Sequence, residues 1–140
     1  FTSLNLKARL LDLNFLTPVR LRVGGKEAAK VTFADLARAA VRRLSILTHF
    51  YGTPLRNYLN PSRLIAESET VETKTNRTEW FEFERYSKRQ GRKISLGGLV
   101  GRISFAGDLG QFVPLFALAR ISNVGKATSF GFGRIDFDTD

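Results

Sequence analysis

The chain has 140 residues and 43% hydrophobic content, which suits one folded domain with one core. It contains no cysteine and a single histidine, which excludes disulfides, thiolate metal sites and sites built from several histidines. The net charge of +9 indicates a polyanionic partner, because neutralising phosphates releases counterions; the alternative is a protein kept soluble by excess cations.

The first predicted element is a long, bent strand. Leucines alternate with polar residues over positions 4–15, and the alternation resumes over 19–23 after an interruption at Thr17-Pro18. Proline is tolerated where a strand bends or bulges, so we expect one strand that continues through the interruption.

An amphipathic helix follows this strand. Thr32 and Asp35 have the spacing of a capping box, and apolar residues then recur at helical spacing to about Phe50. Gly52 is expected to end the helix. Residues 53–66 contain two prolines and are interpreted as a loop.

A hairpin is predicted next, with an aromatic strand over residues 79–86, a turn at Gly91 and a second strand over 93–105. Glycines in the second strand indicate a bulge or a close approach by another backbone. Asp108 is the predicted cap of a second helix, and a last strand spans residues 134–137.

The element order is therefore strand, helix, strand, strand, helix, strand. This is the pattern of the α+β ferredoxin-like fold, with an antiparallel sheet and two helices packed on one face. We expect residues 1–140 to form a single domain of this kind.

A glycine-rich segment, VGKATSFGFG, lies between the second helix and the last strand. Its glycines would let backbone N–H groups approach a phosphate, and its lysine adds a positive charge. The alternative is a tight loop that needs glycine for its conformation. The spacing differs from that of a P-loop, which argues against nucleotide hydrolysis. The candidate RNA-binding residues are Gly125, Lys126, Thr128, Ser129, Gly131 and Gly133.

The hairpin turn carries a second group of candidate phosphate ligands, while acidic residues gather in 67–84 and at the C-terminus. A solvated turn is the alternative, but crowding of cations in a basic chain favours contact with a polyanion. The candidates are Arg85, Lys88, Arg89, Arg92 and Lys93.

The only histidine, His49, falls at the C-terminal end of the first helix, where the helix dipole favours imidazolium. It is a candidate general acid or phosphate contact. The alternative is a capping or packing role, since phosphate cleavage needs several convergent groups. No metal ligands and no cofactor are expected.

The stretch from Arg85 to Ile135 resembles the C-terminal part of the CRISPR repeat-processing endoribonucleases, in the RAMP superfamily of ferredoxin-like RNA-binding domains. The resemblance lies in the RYSKRQ segment, the LGGLVG strand and the glycine-rich NVGKATSFGFG. Upstream, FLTPVRLRVGG and LARAAVRRLSILTHFYG are similar to the first strand and first helix of that family.

The resemblance implies RNA binding within an antiviral endoribonuclease that processes precursor CRISPR RNA by metal-independent cleavage in the repeat. The 2′-hydroxyl attacks the adjacent phosphate and leaves a 2′,3′-cyclic phosphate. It also implies that this chain is the C-terminal half of a two-domain protein and lacks part or all of the catalytic site. Asn123 stands where many members have a histidine.

The expected partners are the CRISPR repeat of precursor RNA, an N-terminal domain of the same protein, and a second copy of the chain. No apolar run could span a bilayer, and a cytoplasmic location is expected. Two other functions fit the same fold: a non-catalytic RNA-binding subunit of a CRISPR effector complex and a small-ligand-binding domain.

Overall fold

A four-stranded antiparallel sheet organises the fold, with the strand order β4-β5-β1-β6. The computed structural model describes residues 7–50, 52, 59–87, 89, 91–125 and 133–140, without the side chains of 49, 50, 83, 85–87 and 93–96. The described elements in chain order are β1 (Leu10–Val19), β2 (Arg22–Val23), β3 (Lys26–Glu27), α1 (Phe33–Phe50), α2 (Pro61–Ser68), β4 (Glu72–Ser87), β5 (Arg92–Ala106), a 3-10 turn (Gly110–Phe112), α3 (Val113–Ser122) and β6 (Ile135–Thr139).

The core lies between one face of the sheet and the helices, as the ferredoxin-like pattern predicts. Leu11 and Leu13 of β1 are fully buried, while Asp12 between them is exposed, because successive side chains of a strand point to opposite faces. Phe33 of α1 packs edge-on against Phe105, with ring centroids 5.0 Å apart, and is surrounded by further rings from the 3-10 turn and α3.

The capping box at the start of α1 is confirmed. The backbone N–H of Thr32 donates to Asp35 Oδ2 at 2.9 Å, and the N–H of Asp35 donates to Thr32 Oγ1 at 3.2 Å. The helix ends at Phe50, as predicted, and Gly52 follows with a φ of 79°.

The first strand continues through Thr17-Pro18, as predicted, and its pairing with β5 shifts register there, between Phe15 and Val19. The prediction is wrong over its last part, because β1 ends at Val19 and does not extend to Val23. Beyond it the chain turns back on itself in the small β2–β3 hairpin, because Gly24 and Gly25 both adopt positive φ and form a two-residue turn. Residues 7–9 precede the strand, and positions 4–6 lie outside the described residues.

The loop prediction for residues 53–66 is wrong over positions 61–66, which belong to α2, and positions 53–58 lie outside the described residues. Asn60 caps this helix, since its side-chain oxygen accepts from the backbone N–H of Arg63 at 3.1 Å, and Pro61 occupies the first turn. Proline is common in loops, but at a first helical position it favours the helix. Leu64 then anchors α2 in the core.

Asp108 does not cap the second predicted helix. A 3-10 turn intervenes, α3 starts only at Val113, and neither helix start has a capping side-chain hydrogen bond. Leu109 and Phe112 occupy the cap positions and are fully buried, so packing fixes this end of the helix. None of the helices in the described part of the chain is long and apolar enough to cross a lipid bilayer.

Gly101 of β5 marks a close approach by another backbone, which is one of the two roles predicted for these glycines: a methyl group on it would lie 2.4 Å from the carbonyl oxygen of Arg77 in β4. A methyl group on Gly97 would instead meet a side chain, 2.6 Å from Nε1 of Trp80, and one on Gly98 would lie 2.8 Å from Cβ of Pro18. The bulge of the β4–β5 hairpin instead falls between residues 73 and 75.

Candidate functional site

The two ends of the glycine-rich segment lie next to each other, and we call this place, formed by Val124, Gly125 and Gly133, the neck. The N–H of Val124 donates to the carbonyl of Gly133 at 2.9 Å, and the N–H of Gly133 donates to that of Pro18 at 2.9 Å. A methyl group on Gly133 would lie 1.8 Å from the carbonyl oxygen of Val124, and one on Gly125 would lie 2.6 Å from that of Arg20. Both glycines have positive φ, so the neck requires glycine at each position.

The remaining candidates of this segment, Lys126, Thr128, Ser129 and Gly131, lie outside the described residues. Their phosphate-binding role stays a prediction. For Gly125 and Gly133, the tight-loop explanation accounts for both residues without a ligand.

The basic residues of the β4–β5 hairpin occupy its turn and the paired strand ends next to it. Arg89 lies in the turn and is exposed, and Arg92 is exposed at the start of β5. Arg85 and Lys93 pair in register with their neighbours across the hairpin, and their side chains lie outside the described part. Lys88 lies outside it altogether.

The middle of this hairpin and the neck of the glycine-rich segment meet at the end of β1. Gly98, which pairs with Phe81, approaches Pro18 from β5, and Gly133 donates to the carbonyl of the same proline. Two residues further on, Gly125 approaches Arg20. The end of β1 therefore contacts the neck and the hairpin, whereas the basic turn lies further along the hairpin strands.

A cleft of about 330 Å³ opens beside this neck, between one face of α1 and the segment that carries β2. Gly125 lines it. Among the described residues that line it, one is acidic, Asp35. The basic part of its lining consists of Arg20, Arg22, Arg38, Arg42 and Arg43. The apolar part of its lining consists of Leu21, Val23, Ala39 and Ile46.

Helical periodicity places the cleft residues of α1 on one stripe. The lining positions recur at spacings of three and four, which puts them on one side of the helix: 35, 38, 39, 42, 43 and 46. The core residues of α1 form a second stripe: Phe33, Leu36, Ala37, Ala40, Val41 and Leu44. One stripe of the helix therefore holds the fold together, and another presents positive charge.

The five arginines differ in how far the protein neutralises them. Arg20 pairs with Glu27 of β3, and Arg38 pairs with Glu69 at the end of α2. Arg22 and Arg42 are exposed and have no ion pair with any residue of the described ranges. These two guanidinium groups are the ones most available to an anion.

Arg43 is held by the protein. Its Nε donates to the carbonyl of Ser122 at 3.1 Å, at the C-terminal end of α3, where a cation also interacts favourably with the helix dipole. This bond orients the guanidinium plane and ties the end of α3 to α1, directly before the glycine-rich segment begins.

Sequence reasoning missed this cleft as a site. The arginines of α1 were visible as residues lying off its apolar stripe, and that was the available signal. Their approach to Arg20 and Arg22 is a contact between α1 and a segment distant in the sequence, which local patterns do not reveal.

The remaining candidate chemistry is acid–base catalysis and metal binding. His49 lies in the last turn of α1, and its side chain is outside the described part, so its catalytic role stays a prediction. No group of three or more histidines and carboxylates in the described ranges could hold a metal ion. The pKa of Asp140 is lowered because its carboxylate accepts from the N–H groups of Arg9 and Leu10, at the opposite end of β1 from the cleft.

Comparisons with known proteins agree with this architecture. A family model described as CRISPR-associated endoribonuclease Cas6 matches residues 13–135. A search of curated protein sequences found no match. Among solved structures, the chain is similar to Thermus thermophilus Cas6 with a TM-score of 0.67 and 18% identity, over 94% of this chain and 54% of that one. It is similar to a Cas6 product complex with a TM-score of 0.63 and 22% identity, over 94% and 52% of the two chains.

A third similar structure is a Cas6-RT-Cas1–Cas2 complex, with a TM-score of 0.64 and 14% identity, over 99% of this chain and 15% of that one. The chain thus spans about half the length of the first two structures. At these identities the structural likeness establishes the ferredoxin-like fold, and the family model establishes the kinship. The chain belongs to the CRISPR-associated endoribonuclease Cas6 family.

Proposed function

We propose that this chain is the RNA-binding domain of an endoribonuclease that processes precursor CRISPR RNA by cutting within the repeat. The family match over residues 13–135 carries the proposal. The arginine-lined cleft beside the neck of the glycine-rich segment supports it, because clustered guanidinium groups attract a phosphate backbone and bind it in bidentate geometry. Similar solved structures include Cas6 product and substrate-mimic complexes.

The chain covers 52% and 54% of two similar Cas6 chains, which supports a protein longer than this chain. We propose that the further domain is N-terminal to it, as the resemblance to the family implies. In this proposal, residues of the present chain hold the RNA and the other domain supplies most of the proton-transfer groups. The 2′-hydroxyl gives its proton to a general base as its oxygen forms a bond to the adjacent phosphorus, the bond to the 5′-oxygen breaks, and that oxygen takes up a proton from a general acid. Fixing the phosphates would align the attacking and leaving oxygens, which is a large part of such catalysis.

Cleavage of repeat RNA by the full-length protein in EDTA tests the proposal. We expect one cut per repeat and a 2′,3′-cyclic phosphate on the upstream product, detected as resistance to phosphatase until acid opens the ring. Binding without cutting would favour a non-catalytic subunit of an effector complex. No affinity for RNA would favour a small-ligand-binding domain and would overturn the proposal.

The setting proposed for this activity is the cytoplasm, with repeat RNA as the partner. A homodimer stays a prediction, which size-exclusion chromatography with light scattering would test.

A further inference from the structure

We infer that the cleft between α1 and the β2–β3 hairpin holds one unpaired nucleotide of the bound RNA. Its phosphate lies at Arg22 and Arg42, and its base lies against the apolar lining. This inference rests on the proposed RNA-binding function and assigns it a site and a class of ligand.

The mixed lining of the cleft is the first argument. A groove that bound only phosphates would be polar along its length, whereas this cleft places Val23 and Ile46 beside the arginines. These two side chains are 44% and 59% exposed. A ligand with an anionic part and a flat apolar part would cover both kinds of surface at once, and a nucleotide has this form.

The size of the cleft is the second argument. About 330 Å³ is at the lower end of the range for pockets that enclose small ligands, which suits a single nucleotide. A duplex cannot place a base in such a cleft, because its bases are stacked and paired inside the helix. Unpaired bases, by contrast, can be splayed out and stacked on guanidinium planes.

The distribution of ion pairs places the phosphate within the cleft. Glu27 and Glu69 already neutralise Arg20 and Arg38, so an additional anion gains most at Arg22 and Arg42. The guanidinium of Arg43 is oriented by the carbonyl of Ser122, which leaves its face as a platform for a base.

The cleft is expected to accept any of the four bases. Asp35 is the only acidic side chain among the described residues that line it, and its oxygens are engaged by the N–H of Thr32 at 2.9 Å and by Arg38 at 4.0 Å. A site that reads one base needs a side chain free to bond to the base edge, and here the two available guanidinium groups, those of Arg22 and Arg42, are assigned to the phosphate. Apolar and guanidinium surfaces bind every base in a similar way.

The experiment is an abasic scan, in which each nucleotide of a repeat RNA is replaced in turn by one without a base. Binding to the full-length protein is measured for each RNA. We expect one position at which loss of the base weakens binding about fivefold, with little dependence on which base it carried. In Ile46→Ser that position should lose its sensitivity, because the apolar surface is gone.

Two matched controls accompany the scan. Ile121→Ser changes the other strongly exposed isoleucine, 72% exposed on α3 and not part of the cleft lining, and should keep the full abasic effect. Arg63→Gln changes an exposed arginine of α2 outside the cleft and should bind RNA like the unaltered protein. Arg22→Gln and Arg42→Gln should each weaken binding.

The outcomes separate the inference from the function beneath it. If RNA binds but the abasic profile of Ile46→Ser matches that of the unaltered protein, the cleft holds no base and the inference is overturned while the function stands. The same follows if duplex RNA binds as tightly as single-stranded RNA. If uridine monophosphate binds as tightly as RNA, instead of about 100-fold more weakly, the cleft serves a free nucleotide and the inference is overturned. If the unaltered protein binds no RNA, both fail.

Discussion

The arginine cleft on α1 and the turn of the β4–β5 hairpin are both basic, but the protein assembles their charges in different ways. The hairpin cations are neighbours in the chain, over residues 85–93. The cleft collects arginines from the end of β1, from β2 and from three positions of α1. Cations that are neighbours in the sequence can be recognised without a structure. Arginines that come from separate elements form a basic cleft only once the chain has folded.

The two regions also differ in the interactions that the arginine side chains make with other groups of the protein. In the cleft, two arginines are neutralised by glutamates and a third is bonded to the end of α3. The available charge is therefore confined to a defined place. At the hairpin turn, Arg89 is exposed. We expect the cleft to position RNA and the turn to attract it.

The largest expected effect is on the free energy of unfolding, and it concerns the neck beside the cleft, which depends on close packing in the folded chain. Gly133→Ala should destabilise the protein by about 3 kcal/mol, because the new methyl group would lie 1.8 Å from the Val124 carbonyl at a positive φ. Gly25→Ala is the control, since it has a similar φ of 79° but open space around it, and should cost about 1 kcal/mol. Urea unfolding measures both. Equal losses would show that the neck has no special packing.

The next effect compares the two basic regions directly, through the salt dependence of RNA binding. Arg22→Gln with Arg42→Gln should lower the slope of log affinity against log salt by about 0.7, the contribution of one phosphate contact to a single strand. Arg89→Gln with Lys93→Gln should also weaken binding and make the slope shallower. An unchanged slope for either pair would remove that region from the RNA contact.

The smallest effect tests the neutralisation within the cleft. Glu69→Gln should strengthen RNA binding about two- to threefold, because Arg38 loses the partner that competes with phosphate. Glu67→Gln removes a charge of the same sign from the same helix without touching an arginine of the cleft, and should change affinity less. Equal gains would indicate a general effect of net charge, which fluorescence anisotropy at two salt concentrations would show.

Much of the fold could be predicted from local patterns because the physical causes were local. The capping box at Thr32 and the period of α1 required no distant partner, and both were confirmed. The errors arose where two explanations used the same residue types. Pro61 signals a loop or a helix start, and only the burial of Leu64 decides between them.

The candidate site was harder than the fold to predict from local sequence patterns. Gly125 and Gly133 were selected for phosphate binding, and the structure gives them a packing role at the neck. Arg22 and Arg42 are separated by twenty positions and line one cleft only in the folded chain, so no short window along the sequence contains the cleft. Predicting the cleft would have required knowing which residues distant in the sequence come together in the fold.

The packing of Trp80 against Gly97 has a practical consequence. It is the only tryptophan of the 140 residues, and it packs against the core from the middle of the β4–β5 hairpin. Intrinsic fluorescence excited at long wavelength therefore reports on this one place, without a label. An RNA that quenches or shifts this emission would signal a change in the aromatic strand, and a silent emission on saturable binding would direct attention elsewhere on the molecule.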